Sequence, residues 1–314
     1  MKDRNIIIGI DTSNYTTSVA LMYTDGELIA NIKRPLPVKP GERGLRQSDA
    51  VFAHIKNLPS AMREAGEILA GRKPCAVGVS VRPRNIDGSY MPCFLSGVST
   101  AESISATLGI PIFRYSHQCG HIMAALYSSG REDLLLEDSF CAFHVSGGTT
   151  EMLRVSAAEH GFNCELVGGT ADLNAGQVID RIGVLMGIPF PCGSHLEALA
   201  LANTLKIPSK KPRISDFRVN LSGLENMASS LYKDSGNKEL TSAFVLDYIG
   251  KSLVLLAESY EERYGKSKIV FAGGVMCNSI IKKMLSERFD AYFAEPLMSA
   301  DNAVGIAALV AKEL

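Results

Sequence analysis

The chain has 314 residues, with 32 lysines and arginines against 33 aspartates and glutamates, a formal net charge of −1. This balance excludes a generic polyanion binder but allows a local basic patch. Tryptophan is absent and aromatics make up 7% of a chain dominated by aliphatic residues, which suits an α/β enzyme better than an aromatic RNA-stacking module.

On length, about two domains are expected. The N-terminal MKDRNIIIGIDTS runs straight into a strand with no signal-peptide core, and no uninterrupted apolar run reaches transmembrane length. A soluble, cytoplasmic protein with no membrane partner is therefore expected. IIIGIDTS and TTSVALMY read as strands, and Asp25-Gly26 marks a hairpin turn before ELIANIKR. A helix is predicted over 48–69 from Val51, Ile55, Leu58 and Met62 at helical spacing. CAVGVSV is a buried strand, SGVSTAESISATLG a helix stopped by its glycine, and GIPIFRYS a strand leading to a helix near His117.

The pattern then restarts. SFCAFHVSGG and TTEMLRVSA form a second hairpin, followed by helices over 176–187, 194–203 and 241–264. KIVFAGGVM is a strand, NSIIKKMLSER a helix, DAYFAEP a strand and DNAVGIAALVAKEL a closing helix. The repetition suggests a duplicated α/β unit. The Lys-, Pro- and Ser-rich stretch 205–218 reads as an insertion or mobile loop. The seven cysteines (75, 93, 119, 141, 164, 192 and 277) form no CxxC pair, so neither a disulfide framework nor a zinc ribbon is indicated.

Three strand ends carry small-residue turns: DTSN at 11–14, SGGTT at 146–150 and GGVMCN at 273–278. Such turns let backbone N–H groups approach a phosphate, and three of them favour a phosphate-holding cleft. Asp11, Thr12 and Ser13 are a candidate phosphate turn. Neither a P-loop nor a dinucleotide-binding glycine motif is present. HQCGH places His117 and His121 at i and i+4, on one side of a helix, a spacing that suits two ligands of a divalent metal. Periodicity supplies no third ligand. Gln118 stands where a zincin has its glutamate, which argues against a metalloprotease.

Asp172 and Asp180 lie about two helical turns apart. Their alternatives are helix N-terminal charge and a solvated face, or a carboxylate contacting a ribose or a metal-bound ligand. Gly193 opens a helix with Glu197 on its first turn. His195 reads as a surface residue, and His54, His144 and His160 have no partner nearby in sequence. Lys206, Lys210, Lys211 and Arg213, and separately Arg82 and Arg84, read as solvated clusters able to steer RNA phosphates.

HQCGH, HVSGGTTEML, DLNAGQVIDRIGVLMGIPFPCG, NLSGL, FAGGVMCNS and ADNAVGIA, in this order from about residue 6 to 308, resemble the TsaD/Gcp family. This is the tRNA threonylcarbamoyladenosine synthase subunit, formerly labelled an O-sialoglycoprotein endopeptidase. The resemblance implies an actin-like ATPase (ASKHA) fold, with duplicated RNase H-like domains flanking a nucleotide cleft. The first lobe is expected over 1–112 plus a C-terminal helix at 301–314, and the second over 113–300 with a helical insertion near 176–240. It also implies a divalent metal, iron or zinc, on His117, His121 and Asp301. Contacts to an ATP/AMP-type nucleotide would come from His144, Val145, Ser146, Gly147, Gly148, Asp180, Gly193, Glu197 and Asn278. The implied reaction is metal-dependent transfer of a threonylcarbamoyl group from threonylcarbamoyl-AMP to N6 of the adenosine beside the anticodon in tRNA. Protein partners of a threonylcarbamoylation complex are implied as well.

The chain departs from the family pattern at three places. Asn14-Tyr15-Thr16-Thr17 replaces acidic residues, RPRNIDGSYMPCFL replaces a glycine loop, and Gln177 replaces a glutamate. The alternative is a divergent nucleotide- and metal-binding paralogue with another acceptor or a scaffold role.

Overall fold

The computed structural model describes residues 4–13, 15–37, 45–86, 88–158, 160–299, 301 and 303–314. Two compact units are distinguished: residues 1–133, 157–163 and 297–314, and residues 134–156 and 164–296.

In the first unit, β1 (Ile6–Thr12), β2 (Thr16–Tyr23) and β3 (Leu28–Pro35) form the expected antiparallel meander. α1 (Gln47–Leu69) follows, then β4 (Pro74–Arg82), α2 (Phe94–Leu108), β5 (Ile112–Ser116) and α3 (His117–Ser129). The sheet order is β3-β2-β1-β4-β5, with β4 and β5 parallel to β1. β1 is buried along its whole length, as a central strand covered on both faces must be. Ile6, Ile8, Ile10, Val19, Leu21, Val77 and Val79 form a core with the α1 residues Leu58, Ala61 and Ala65.

The second unit opens with β6 (Phe140–Val145), β7 (Thr150–Ala157) and β8 (Phe162–Thr170), where Phe162 and Asn163 still belong to the first unit. β8 is absent from the sequence expectation. Its buried and exposed positions do not alternate, so there is no period-2 signal to read. α4 (Ala175–Leu185), α5 (Gly193–Ala202), β9 (Ile214–Ser215), β10 (Arg218–Val219), α6 (Ser222–Ser235) and α7 (Lys238–Tyr264) follow. β11 (Ile269–Ala272), α8 (Ser279–Ser286) and β12 (Ala291–Phe293) complete a sheet of order β12-β11-β6-β7-β8-β10-β9. α7 is long and apolar enough to cross a membrane on composition alone, but 83% of that window is buried inside the protein. Phe244, Ile249, Leu253, Leu256 and Tyr260 place it in the core of this unit.

The chain returns to the first unit through α9 (Pro296–Ser299) and α10 (Val304–Glu313). A boundary at residue 112 does not describe this division. β5 pairs with β4 and α3 packs on α10, so the chain through Asp133 belongs with the first sheet.

The stretch at 205–218, expected as an insertion or mobile loop, is anchored. Ile207, Ile214 and Phe217 pack against the core of the second unit, and β10 pairs with β8. Spaced apolar residues among lysines and prolines give no periodic signal, so only tertiary packing reveals them.

Asp172 caps α6 rather than α4, accepting from Leu221 N at 2.8 Å and Ser222 N at 3.1 Å. Burial raises its pKa, but the hydrogen bonds from Ser222, Leu221 and Leu173 prevail and hold it below the usual carboxylate value. With the folded pKa below the unfolded one, its contribution is complete above about pH 4 and is lost as pH falls through the folded value. Asp172→Ala is expected to cost about 1 kcal/mol at neutral pH. The gap between the two proteins in urea denaturation should narrow as pH falls below about 4, and a gap unchanged by acid would show the carboxylate charge to be irrelevant.

Candidate active site

The first cluster is built where α3 begins. Ser116 caps the helix, its Oγ accepting from Cys119 N at 3.2 Å, and Pro83 O accepts from Gln118 N at 3.0 Å. One turn apart, the His117 and His121 rings meet edge to face with centroids 4.3 Å apart. Asp301 lies just ahead of α10, its Oδ1 at 3.3 Å from His121 Nε2 and 3.6 Å from His117 Nε2. One ligand atom from each of the three residues falls within 4.8 Å of the others.

Behind them stands Asp11, fully buried at the end of β1. Its Oδ1 is 3.0 Å from His117 Nδ1, it accepts from Ser13 Oγ at 2.7 Å, and Ser80 Oγ donates to it as well. With Nδ1–H donating to Asp11, His117 turns Nε2 toward Asp301 and His121. A carboxylate behind a histidine in this way fixes both its tautomer and its ring orientation.

The two histidines have opposite electrostatics. Burial lowers the pKa of His117, but the charge of Asp11, its hydrogen bond and the charge of Asp301 outweigh burial and raise it to about 9. His121 is pushed below the ordinary histidine value by burial and by the His117 charge. Burial raises the Asp11 carboxyl, yet the charge and hydrogen bond of His117 prevail and lower it.

The segment carrying Asp301 is pinned on both sides. Lys33 Nζ donates to Leu297 O at 3.0 Å, and Ala303 N donates to Ser18 Oγ at 2.9 Å. Sequence reasoning missed Asp11 as a partner of His117, as well as Ser80, Ser18 and Lys33. The one available signal was an aspartate at the end of the first buried strand.

The side chains of the candidate phosphate turn are engaged within the protein. Asp11 serves His117, Ser13 serves Asp11, and Thr12 Oγ1 donates to Cys93 O at 3.1 Å and accepts from Gly97 N at 3.1 Å. Asn14 lies outside the described residues. His54, given no partner from sequence, is buried and bridges Ser13 O at 2.7 Å and Thr17 Oγ1 at 2.8 Å. His160 pairs with Glu313 at the surface, and His195 is exposed.

The second cluster lies at one edge of the second sheet. β6 and β11 run parallel with Ala272 beside His144, so the turns that follow them, 146–149 and 273–274, emerge side by side. Ligands of α/β sheets bind at such carboxyl ends. Gly147 and Gly148 are exposed, with open space where a side chain would stand. Gly273 has φ +98°, and a Cβ there would meet Val145 O at 2.3 Å, so only glycine fits this strand end. His144, Val145 and Asn278 are buried, and Ser146 is half-buried.

The remaining predicted residues set helix starts. Asn278 caps α8, its Oδ1 accepting from Ile281 N at 3.1 Å, and Glu197 accepts from Ser279 N at 2.7 Å. Asp180 is no solvated-face residue: its Oδ1 accepts from Cys192 N at 2.9 Å, just ahead of Gly193, and burial raises its pKa. Gln177 closes a capping box with Asn174 at 3.1 Å, a role open to glutamine and glutamate alike.

A protein-family model described as TsaD, tRNA N6-adenosine threonylcarbamoyltransferase, matches residues 41–308. The tRNA N6-adenosine threonylcarbamoyltransferase of Streptococcus thermophilus (strain CNRZ 1066) is 30% identical over 336 aligned residues, covering 99% of this chain and 92% of that protein. Among solved structures, full-length HypF in its phosphate- and nucleotide-bound form is similar with a TM-score of 0.62 and 15% identity. The match covers all of this chain and 47% of HypF, so the chain spans about half of HypF's length. A ROK family glucokinase from Streptomyces griseus, crystallised with glucose and AMPPNP, gives a TM-score of 0.53 at 12% identity over 99% of this chain and 100% of the glucokinase. At such identities these structures establish the fold alone, which is actin-like (ASKHA).

Proposed function

We propose that this chain, which belongs to the TsaD family of tRNA N6-adenosine threonylcarbamoyltransferases, transfers a threonylcarbamoyl group from threonylcarbamoyl-AMP to N6 of the adenosine beside the tRNA anticodon. The observation that carries the metal-dependent form of this reading is the grouping of His117, His121 and Asp301 within 4.8 Å, with Asp11 orienting His117. Two imidazoles and a carboxylate suit iron or zinc. A metal there would supply positive charge to offset negative charge on a substrate oxygen.

In this reading the protein's own groups bind and orient. Backbone N–H groups of the 146–148 turn hold a phosphate of the nucleotide, and Asp180, Gly193, Glu197 and Asn278 shape the site around it. The adenosine amine attacks the carbamoyl carbon, the bond from that carbon to the phosphate oxygen breaks, and AMP leaves as the nitrogen loses a proton. Holding both reactants in line removes much of the entropic barrier. The family's protein partners belong to the same reading.

Nucleoside analysis of tRNA from cells lacking this gene, with no second family member present, tests it. Loss of threonylcarbamoyladenosine is expected, and an unchanged level overturns the reading. Asp11→Asn is expected to weaken metal binding about tenfold to a hundredfold, measured by competition with a chelator. Equal affinity would remove Asp11 from the site.

One observation favours another acceptor as the second reading. The divergent stretch after β4 abuts the histidine helix through the Pro83–Gln118 hydrogen bond, so the wall beside His117 differs from the family's glycine loop. Its residue 87 lies outside the described residues. Purified protein that carbamoylates a different acceptor while leaving tRNA untouched would establish this alternative.

A further inference from the structure

In the second unit, a concave pocket of about 290 Å³ is lined by Lys210, Lys211, Arg213, Asn220, Gly223 and Tyr248, with Met227 on its wall. The three cations are exposed, and none forms an ion pair among the described residues. Glu225 pairs with Arg181, Asp247 with Lys251, and Asp172 accepts from the backbone at the start of α6; Asp216, three residues beyond Arg213, is exposed and pairs with no cation among the described residues. Pro212, buried between Lys211 and Arg213, fixes the backbone there by its locked φ. Ile207 and Ile214 anchor the same segment in the core. The lysines therefore stand on a held segment.

Tyr248 supplies the second observation. Its side chain projects from the buried helix α7 and is 7% exposed, and its hydroxyl has no hydrogen-bond partner among the described residues. Gly223, in the first turn of α6, has open space where a side chain would stand. Asp172 already occupies Leu221 N and Ser222 N, so the helix end adds little charge of its own. Three unpaired cations, the hydroxyl of a largely buried tyrosine and an amide around one concavity match the oxygens of a phosphodiester.

We infer that this pocket holds a backbone phosphate of the RNA substrate, a docking point that adds sequence-independent affinity. The inference rests on the tRNA reading above. With the net charge near neutral, electrostatic affinity for RNA has to come from local patches such as this one.

The test compares the full chain with its Lys210→Gln/Lys211→Gln/Arg213→Gln variant. Fluorescence anisotropy with unmodified tRNA across a salt series is the main readout. The variant is expected to bind tRNA about tenfold to a hundredfold more weakly at low salt, with the salt slope reduced by about one. The loss should be equal for tRNAs of different sequence, with ATP affinity and melting temperature unchanged. Tyr248→Phe, which removes one oxygen, is expected to weaken tRNA binding a few-fold at unchanged slope.

Unchanged tRNA affinity and slope in the triple variant overturn the inference. A fall in affinity for ATP or inorganic phosphate with tRNA binding intact also overturns it, because the pocket would then serve a free phosphate ligand. If the variant loses tRNA affinity as expected while cells lacking the gene keep their threonylcarbamoyladenosine, the docking site stands and the transferase reading falls.

Discussion

Exchanging His121 and Asp301 together for alanine is expected to strip the protein of bound metal while leaving it folded. These two residues supply two of the three grouped donors, and two lost ligands leave a single imidazole, too few for stable binding. His117 is spared deliberately. Removing it would leave the buried Asp11 carboxylate without its main counter-charge, and an unpaired buried charge costs about 3–5 kcal/mol. Asp301 is partly exposed and His121 is uncharged at neutral pH, so their loss mainly removes ligands. Metal analysis after chelation and reloading should show about one equivalent in the parent and none in the double variant. Full occupancy in the double variant would remove these residues from the metal site, whatever the tRNA assay shows.

The second large effect is expected at the crossing of α3 and α10. A Cβ at Gly305 would lie 1.8 Å from the carbonyl oxygen of Gly120 and 2.8 Å from Ala124 N. Both obstacles are helix backbone, so the two helices must separate. Gly305→Ala is expected to destabilise the first unit by about 3 kcal/mol, lowering its melting temperature by roughly 5–10 °C. The same separation moves Asp301, ahead of α10, away from the histidines on α3, so metal affinity should fall with stability. Gly66→Ala in α1 is the matched control. Nothing lies within 4 Å of the added carbon, so a gain of up to about 1 kcal/mol is expected. If the two alanines behaved alike, close helix packing would not be what holds Asp301 in place.

Much of the architecture was legible before any packing was known. The two hairpins, the helix over 48–69, the strand at 75–81 and the closing helix all follow from local periodicity and turn chemistry. The i, i+4 spacing put His117 and His121 on one side of a helix for the same local reason. Elements without periodicity were not legible. β8 lacks alternation along its length, and the 205–218 stretch hides three anchoring apolar residues among lysines and prolines.

The histidine pair was determined by the sequence alone, because a helix fixes the distance between residues four apart. Asp301 came only by family resemblance, since no local rule relates a residue at 301 to one at 117. Tertiary structure decided the rest of the site. The close contact of Gly305 with Gly120 sets α10 against α3, Ser18 and Lys33 pin the intervening segment, and β1 brings Asp11 up behind His117. Each of these is a meeting of residues more than a hundred positions apart, visible only when the chain has folded.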